Sequence, residues 1–210
     1  MSNRLIVFDN KGELMLAVVP RVLGSLFYYP PHSEPALYAQ QDLPYLAEHF
    51  SWANPVQIHT LCQALPEPQL EQFSLLFEGI GEMPAPPWGS VYLDPERIVM
   101  GESTLAYRQF LQQHGIEVQL ANHEPEDQFG LMLLALAHFF EQEQDSAALT
   151  LLTDHLLPWA DQYLQQLKSA CSETDFYYGL AIIAECFLTQ LKAHASDKSS
   201  FSHEGIVTEC

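Results

Sequence analysis

Glu124 to Phe140 reads EPEDQFGLMLLALAHFF, an acidic tetrad running straight into a segment that is apolar on nearly every face. Phe129, Met132, Leu133, Leu136, Phe139 and Phe140 recur at helical spacing with almost no polar stripe between them. A helix of that kind is stable in water only when other elements surround it, so the segment predicts the central helix of an all-α bundle. Pro125 is read as its opening residue, because proline suits a first turn.

The flanking sequence supplies elements to surround it. Upstream, Leu105 to His114 reads as a helix closed by Gly115. Val18, Val22, Leu26 and Tyr29 form an earlier stripe over Ala17 to Tyr29, stopped by Pro30-Pro31. Asn54-Pro55 is a helix start, with Gln57 at capping-box spacing and Ile58, Leu61, Cys62 and Leu65 following. Pro66 and Pro68 close that helix, and Leu70, Phe73 and Phe77 begin another. Downstream, Leu149, Leu152 and Leu156 start a helical region that resumes after Pro158 through Tyr163, Leu164 and Leu167. A last helix carries Phe176, Leu180, Ile183, Phe187 and Leu191, with Thr174 as its expected cap. Beyond Lys192 the sequence turns polar and loses its periodicity. The expectation is one helical domain over 1–191 and a flexible tail over 192–210.

Gly79 to Met100 departs from this pattern. The stretch GIGEMPAPPWGSVYLDPERIVM holds four prolines and three glycines, so it is not one helix. Trp88, Val91, Tyr92, Leu93, Ile98 and Val99 make it an ordered loop rather than a disordered one. Trp88 and Tyr92 have two readings of equal weight: they pin the loop to the bundle, or they form an apolar recognition surface.

Composition bounds the function. The 210 residues suit one sizeable core, and 48% of them are hydrophobic. Eight Lys and Arg against 27 Asp and Glu give a formal charge of −19, which repels nucleic acid and anionic membranes and favours a basic partner. Cys62, Cys171, Cys186 and Cys210 are scattered, as in a protein of a reducing compartment, the cytoplasm. The first residues, MSNRLIVFDNKGELML, are too interrupted by charge for a secretory signal, and no apolar run is long enough to span a bilayer.

Catalytic chemistry finds no constellation. His123, Glu124 and Asp127 lack the H-E-x-x-H arrangement of a helical metal site, and acids at a helix N-terminus are the plainer reading. A small metal-dependent hydrolase built on His123 to Asp127 stands only as an alternative, as does an unselective scaffold. No phosphate loop is present, and Ser90 and Ser103 have no nucleophile motif. No catalytic residue, metal or cofactor is therefore expected. Carboxylates such as Glu124 and Asp127 suit directional pairing with guanidinium, which points to an arginine-containing peptide.

Five stretches then carry a resemblance: RVLGSLFYYPP (Arg21–Pro31), PPWGSVYLD (Pro86–Asp94), GESTLAYRQ (Gly101–Gln109), NHEPEDQFG (Asn122–Gly130) and, more faintly, HLLPWADQYL (His155–Leu164). In this order they resemble the redox-enzyme maturation chaperones of the TorD/DmsD/NarJ type, most closely the DmsD branch. The resemblance implies an all-helical, non-catalytic cytoplasmic chaperone. Its partner would be the twin-arginine signal peptide on the precursor of a molybdenum-cofactor oxidoreductase catalytic subunit, of the dimethyl-sulfoxide or trimethylamine-oxide reductase type, held back from export until cofactor insertion. Related chaperones are monomers or exchange helices, so a homodimer is among the implied arrangements. The signal-binding residues carried over are Trp88, Gly89, Ser90 and Tyr92 in the loop and Glu124, Pro125, Glu126 and Asp127 in the E-P-x-D motif, with Tyr28 and Leu93 beside them. Asp127 is expected to lead the arginine contact. Gln128 stands where the family usually has histidine, and it keeps hydrogen bonding without the cationic form.

Overall fold

The computed structural model describes residues 16–117 and 124–203, with 196–203 as backbone only. Among them the secondary structure is helical throughout, apart from an isolated bridge between Trp88 and Gln128. No helix among the described residues is long and apolar enough to cross a membrane.

Helices α1 (Val18–Tyr28) and α7 (Phe129–Glu141) meet at two glycines. A Cβ on Gly24 would lie 2.7 Å from the Gly130 carbonyl oxygen, and one on Gly130 would lie 2.8 Å from the Gly24 carbonyl oxygen. The backbones therefore touch, and no larger residue fits without moving a helix. Around this contact Val19, Leu23 and Phe27 of α1 interleave with Met132, Leu133 and Leu136 of α7, all buried. The Phe27 and Phe129 rings meet edge to face at 5.0 Å.

The apolar character of α7 on its other sides is explained by its neighbours. Phe129 packs on Trp159 and Tyr163 of α9 (Leu157–Ala170), at ring distances of 5.9 and 4.8 Å. Helix α10 (Phe176–His203) lies along α9, and buried Tyr177 reaches Phe77 of α4 (Leu70–Phe77) at 5.0 Å. Between α7 and α9 come α8 (Asp145–Thr150) and a π-helical stretch, Leu151–Leu156. The expected all-α bundle with α7 inside it is observed.

Several local expectations are corrected. Helix α7 does not open at Pro125: Gln128 is its cap, its side-chain oxygen accepting from Leu131 N at 3.0 Å, so the acidic tetrad precedes the helix. Asp175 rather than Thr174 precedes α10, with Gly179 N bonded to the Asp175 carbonyl. The backbone of α10 runs from Phe176 to His203. Helix α2 (Glu34–Asp42) and the 3-10 stretch Leu43–Glu48 carry too little apolar periodicity to be read in advance. Helix α3 (Pro55–Ala64) does start as expected, with Asn54 Oδ1 accepting from Gln57 N at 3.1 Å.

Two buried carboxylates build the loop before α6 (Glu102–Gln113). Asp127 Oδ2 accepts from Ser90 N at 2.7 Å, at the start of the one-turn helix α5 (Ser90–Leu93), and from Thr104 Oγ1 of α6 at 3.0 Å. Asp94 accepts from Ser103 N at 3.2 Å and Ser103 Oγ at 3.0 Å, capping α6. That cap explains why α6 begins at Glu102, ahead of the stripe that starts at Leu105. Gly101 is required beside it, since a Cβ there would lie 1.9 Å from Asp94 Oδ2.

Gly24 and Asp127 each carry a consequence for stability. Gly24→Ala forces α1 from α7 and is expected to lower unfolding free energy by roughly 2 kcal/mol in urea titrations. Asp127→Ala strands a buried N–H and a buried hydroxyl, at a cost of about 2–4 kcal/mol. Asp127→Asn keeps an accepting oxygen and should cost about 1 kcal/mol or less. Burial raises the Asp127 pKa, against the lowering effect of its bonds to Ser90 and Thr104. A raised folded pKa contributes stability that is full below the unfolded value and is lost as pH rises through the folded one. Urea titrations of Asp127→Asn at acid and neutral pH should lack that component.

Candidate functional site

A groove of about 470 Å³ opens where the C-terminal end of α1, the end of α4 and the acidic tetrad converge. Tyr28, Tyr29 and Pro30 form one wall, Phe73, Phe77 and Glu78 a second, and Glu124 and Gln128 the third. Each wall has a sequence cause. Pro30-Pro31 ends α1 and leaves Tyr28 and Tyr29 at its rim, edge to face at 4.8 Å. Helix α4 turns Phe73 and Phe77 toward the bundle, and Phe77 meets Phe27 at 6.1 Å. Gln128 joins the walls: its Nε2 donates to the Phe27 carbonyl at 3.2 Å while its Oε1 caps α7.

Glu124 is the half-buried carboxylate of the groove. Trp88 Nε1 donates to its Oε1 at 2.8 Å. Burial raises its pKa and the nearby Asp127 charge adds to that, while the Trp88 bond opposes them. Burial, then the Glu124 charge, likewise raises the Tyr28 pKa, so that hydroxyl keeps its proton. No described cation pairs with Glu124 or Glu78. A carboxylate fixed by an indole and bordered by aromatic rings is an environment for a cation, with guanidinium best matched in shape.

The other residues expected at the site lie behind the groove or away from it. The loop is stitched to the tetrad by Gly89 N to the Asp127 carbonyl at 3.0 Å and Phe129 N to the Pro87 carbonyl at 2.8 Å. Gly89 lies against Trp159, where a Cβ would come within 2.9 Å of Nε1. Ser90, Pro125 and Asp127 are buried. Glu126 accepts from Arg108 Nε at 2.7 Å and Nη2 at 2.8 Å, a two-point pair. Tyr92 stacks on Trp159 at 5.5 Å and donates to Gln166 Oε1 at 3.2 Å, so it pins the loop to the bundle. Leu93 is exposed at the end of α5.

The structure thus brings Tyr28, Glu124 and Gln128 together at the groove, with Trp88 joined to it through its bond to Glu124. It adds Tyr29, Phe73, Phe77 and Glu78, which the sequence reading placed in the core or passed over. The signal for Phe73 and Phe77 was present only as helical spacing, which does not separate a groove wall from a core face. Among the described residues no group of three or more His, Cys, Asp or Glu is placed to hold a metal ion, and His123 lies outside them.

The chain is similar to several known proteins. A family model described as "Nitrate reductase delta subunit" matches residues 47–165. A Haemophilus influenzae protein named "Probable Tat proofreading chaperone DmsD" is 39% identical over 177 residues, covering 80% of this chain and 85% of its own. The Tat proofreading chaperone DmsD of Salmonella typhimurium is 36% identical over 184 residues, covering 84% and 89%. A chaperone protein TorD of Vibrio cholerae is 30% identical over 126 residues, covering 53% and 54%. An Archaeoglobus fulgidus protein described as a "Putative Redox Enzyme Maturation Protein" shares the fold, with a TM-score of 0.54 at 18% identity over 90% of this chain and 99% of that one. The family match spans both the α4 wall and the acidic tetrad, and the chain belongs to the nitrate reductase delta subunit family, in which its DmsD relatives are named as chaperones.

Proposed function

We propose that the groove receives an arginine of a twin-arginine signal peptide, and that the chain holds the signal-bearing precursor in the cytoplasm until it is ready for export. The client is the catalytic subunit of a molybdenum-cofactor oxidoreductase, of the dimethyl-sulfoxide or trimethylamine-oxide reductase type, and release follows cofactor insertion and folding. The observation that carries this reading is Glu124, a half-buried carboxylate oriented by Trp88 beside Tyr28 and Phe77 with no described cation against it. The names of the relatives, Tat proofreading chaperones, support it.

The chemistry assigns different tasks to the tetrad. Glu124 accepts the guanidinium, and Glu78 on the opposite wall contributes charge to the second arginine. Tyr28 and Phe77 line the groove and supply aromatic surface beside the cation. Asp127 and Glu126 act from behind, the first by fixing α5 and α6 and the second through Arg108. The overall charge of −19 speeds encounter with a basic peptide and makes the association salt-sensitive.

Calorimetry with a synthetic signal peptide tests this. Glu124→Gln should weaken binding by roughly 10- to 100-fold, Trp88→Ala should also weaken it, and changing the paired arginines to lysine should reduce affinity for the unmodified protein. Ionised Glu124 is the form that pairs, and its pKa is raised in the free chain. Affinity should therefore climb as pH rises through that pKa and level off above it, with protons released on binding in the acidic range. Glu124→Gln should lose that dependence. Equal affinity in all these variants would refute the site.

A further inference from the structure

Among the described residues, five side chains carry a polar atom shielded from solvent that has no hydrogen-bond partner within the chain. Three of the five, Ser90 Oγ, Tyr107 OH and Asp127 Oδ1, belong to residues that surround one carboxylate. Ser90, Tyr107 and Asp127 are 0%, 1% and 3% exposed, so bulk solvent does not reach them. An unpaired polar atom in such a place is strongly disfavoured, and three together require a common cause.

The chain directs all three toward the same point. Asp127 Oδ2 accepts from Ser90 N at 2.7 Å and from Thr104 Oγ1 at 3.0 Å, which sets the carboxylate beside the start of α5 and the first turn of α6. Ser90 Oγ is on the residue whose N–H makes the first of these bonds. Tyr107 follows Thr104 by three positions, so the two share a face of α6, and a long helical side chain leans back over the preceding turn. The Tyr107 hydroxyl is thereby carried toward Thr104 and Asp127. Its ring is fixed by Phe110, stacked at 6.1 Å, and by His155 at 5.2 Å. Burial and then the Asp127 charge raise the Tyr107 pKa, so the hydroxyl keeps its proton and is a donor. No hydrogen bond joins either hydroxyl to Oδ1. The nearby cation, Arg108, is already paired with Glu126.

We infer that Ser90 Oγ, Tyr107 OH and Asp127 Oδ1 form the binding site of one internal water molecule, which accepts from the two hydroxyls and donates to the carboxylate. Three bonds are the usual complement of a buried water, and each bond here has one donor and one acceptor. The water ties α5, α6 and the acidic tetrad together. It thus helps to hold the loop whose Trp88 indole bonds Glu124.

Urea titration of the full chain tests the site through Tyr107→Phe, which deletes only the hydroxyl. A hydroxyl held by water stabilises the fold, so its removal should raise the unfolding constant by roughly five- to tenfold. A variant as stable as the unmodified chain, or more stable, overturns the inference, because an unpaired hydroxyl is better removed. Ser90→Ala takes away a second partner of the same water. Combined with Tyr107→Phe it should therefore raise the unfolding constant by less than the product of the two single effects, and a fully multiplicative result overturns a shared site. A crystal structure of the unmodified chain should show one ordered solvent molecule about 2.5–3.0 Å from all three atoms. Finding Tyr107 OH bonded directly to Asp127, with no solvent molecule between them, overturns the inference as well. None of these measurements involves a signal peptide, so their outcome is independent of the reading of the groove.

Discussion

The contact between Gly24 and Gly130 sets the dimensions of the molecule. Because each Cβ position is filled by the backbone of the opposite helix, α1 and α7 are as close as two helices can come. That distance fixes where the end of α1 stands relative to the start of α7, and the groove lies between those two ends. Tyr28 is within van der Waals reach of the Gly130 position, since a Cβ there would lie 2.9 Å from Tyr28 N and Cβ. A binding wall and a packing contact are thus the same few residues. Gln128 reinforces the arrangement by capping one helix and holding the last buried carbonyl of the other. Histidine, usual at this position in the family it resembles, also has one donor and one acceptor when neutral. Glutamine retains the two-sided bond but gives up titration near neutral pH.

The loop from Gly79 to Gly101 has few backbone bonds of its own, and buried carboxylates organise it. Asp127 and Asp94 each accept from a helix start, where unpaired N–H groups and the dipole favour negative charge. Acids at helix N-termini were anticipated for the tetrad, but the helices they serve are α5 and α6 instead of α7. Small residues complete the clasp at Gly89, against Trp159, and at Gly101, against Asp94. Sequence proximity to α7 was therefore a poor guide to which helix Asp127 stabilises. The partner is 37 residues upstream in the case of Ser90 and 23 in the case of Thr104.

The sequence made the helices legible where their apolar faces are strong. The uniform apolarity of α7, the stripes of α1, α4 and α10, and the Asn54 cap all correspond to observed elements. Helix α2 was invisible because its burial rests on Ala36 and Ala39, whose small side chains carry little periodic signal. Site residues were legible by type and motif, not by orientation. Tyr92 and Trp88 look alike in the sequence, yet one is stacked into the bundle on Trp159 and the other sends its indole N–H to Glu124. Phe73 and Phe77 look like core and are core, and they also floor the groove.

The tetrad shows why spacing alone does not assign carboxylates. Glu124, Glu126 and Asp127 are within four residues of one another, carry the same charge and have three different surroundings. Glu126 meets the guanidinium of Arg108, so its charge is already matched inside the chain. Asp127 is buried, with its Oδ2 held by Ser90 N and Thr104 Oγ1 and its Oδ1 unbonded inside the fold, so it serves the loop and not the groove. Glu124 has an indole N–H on one oxygen and aromatic walls around it, which leaves acceptor capacity facing the groove. The bonds already made, rather than the number of acids, distinguish a carboxylate that holds the fold from one available to a ligand. By that criterion the electrostatic demand for an incoming cation is concentrated on Glu124.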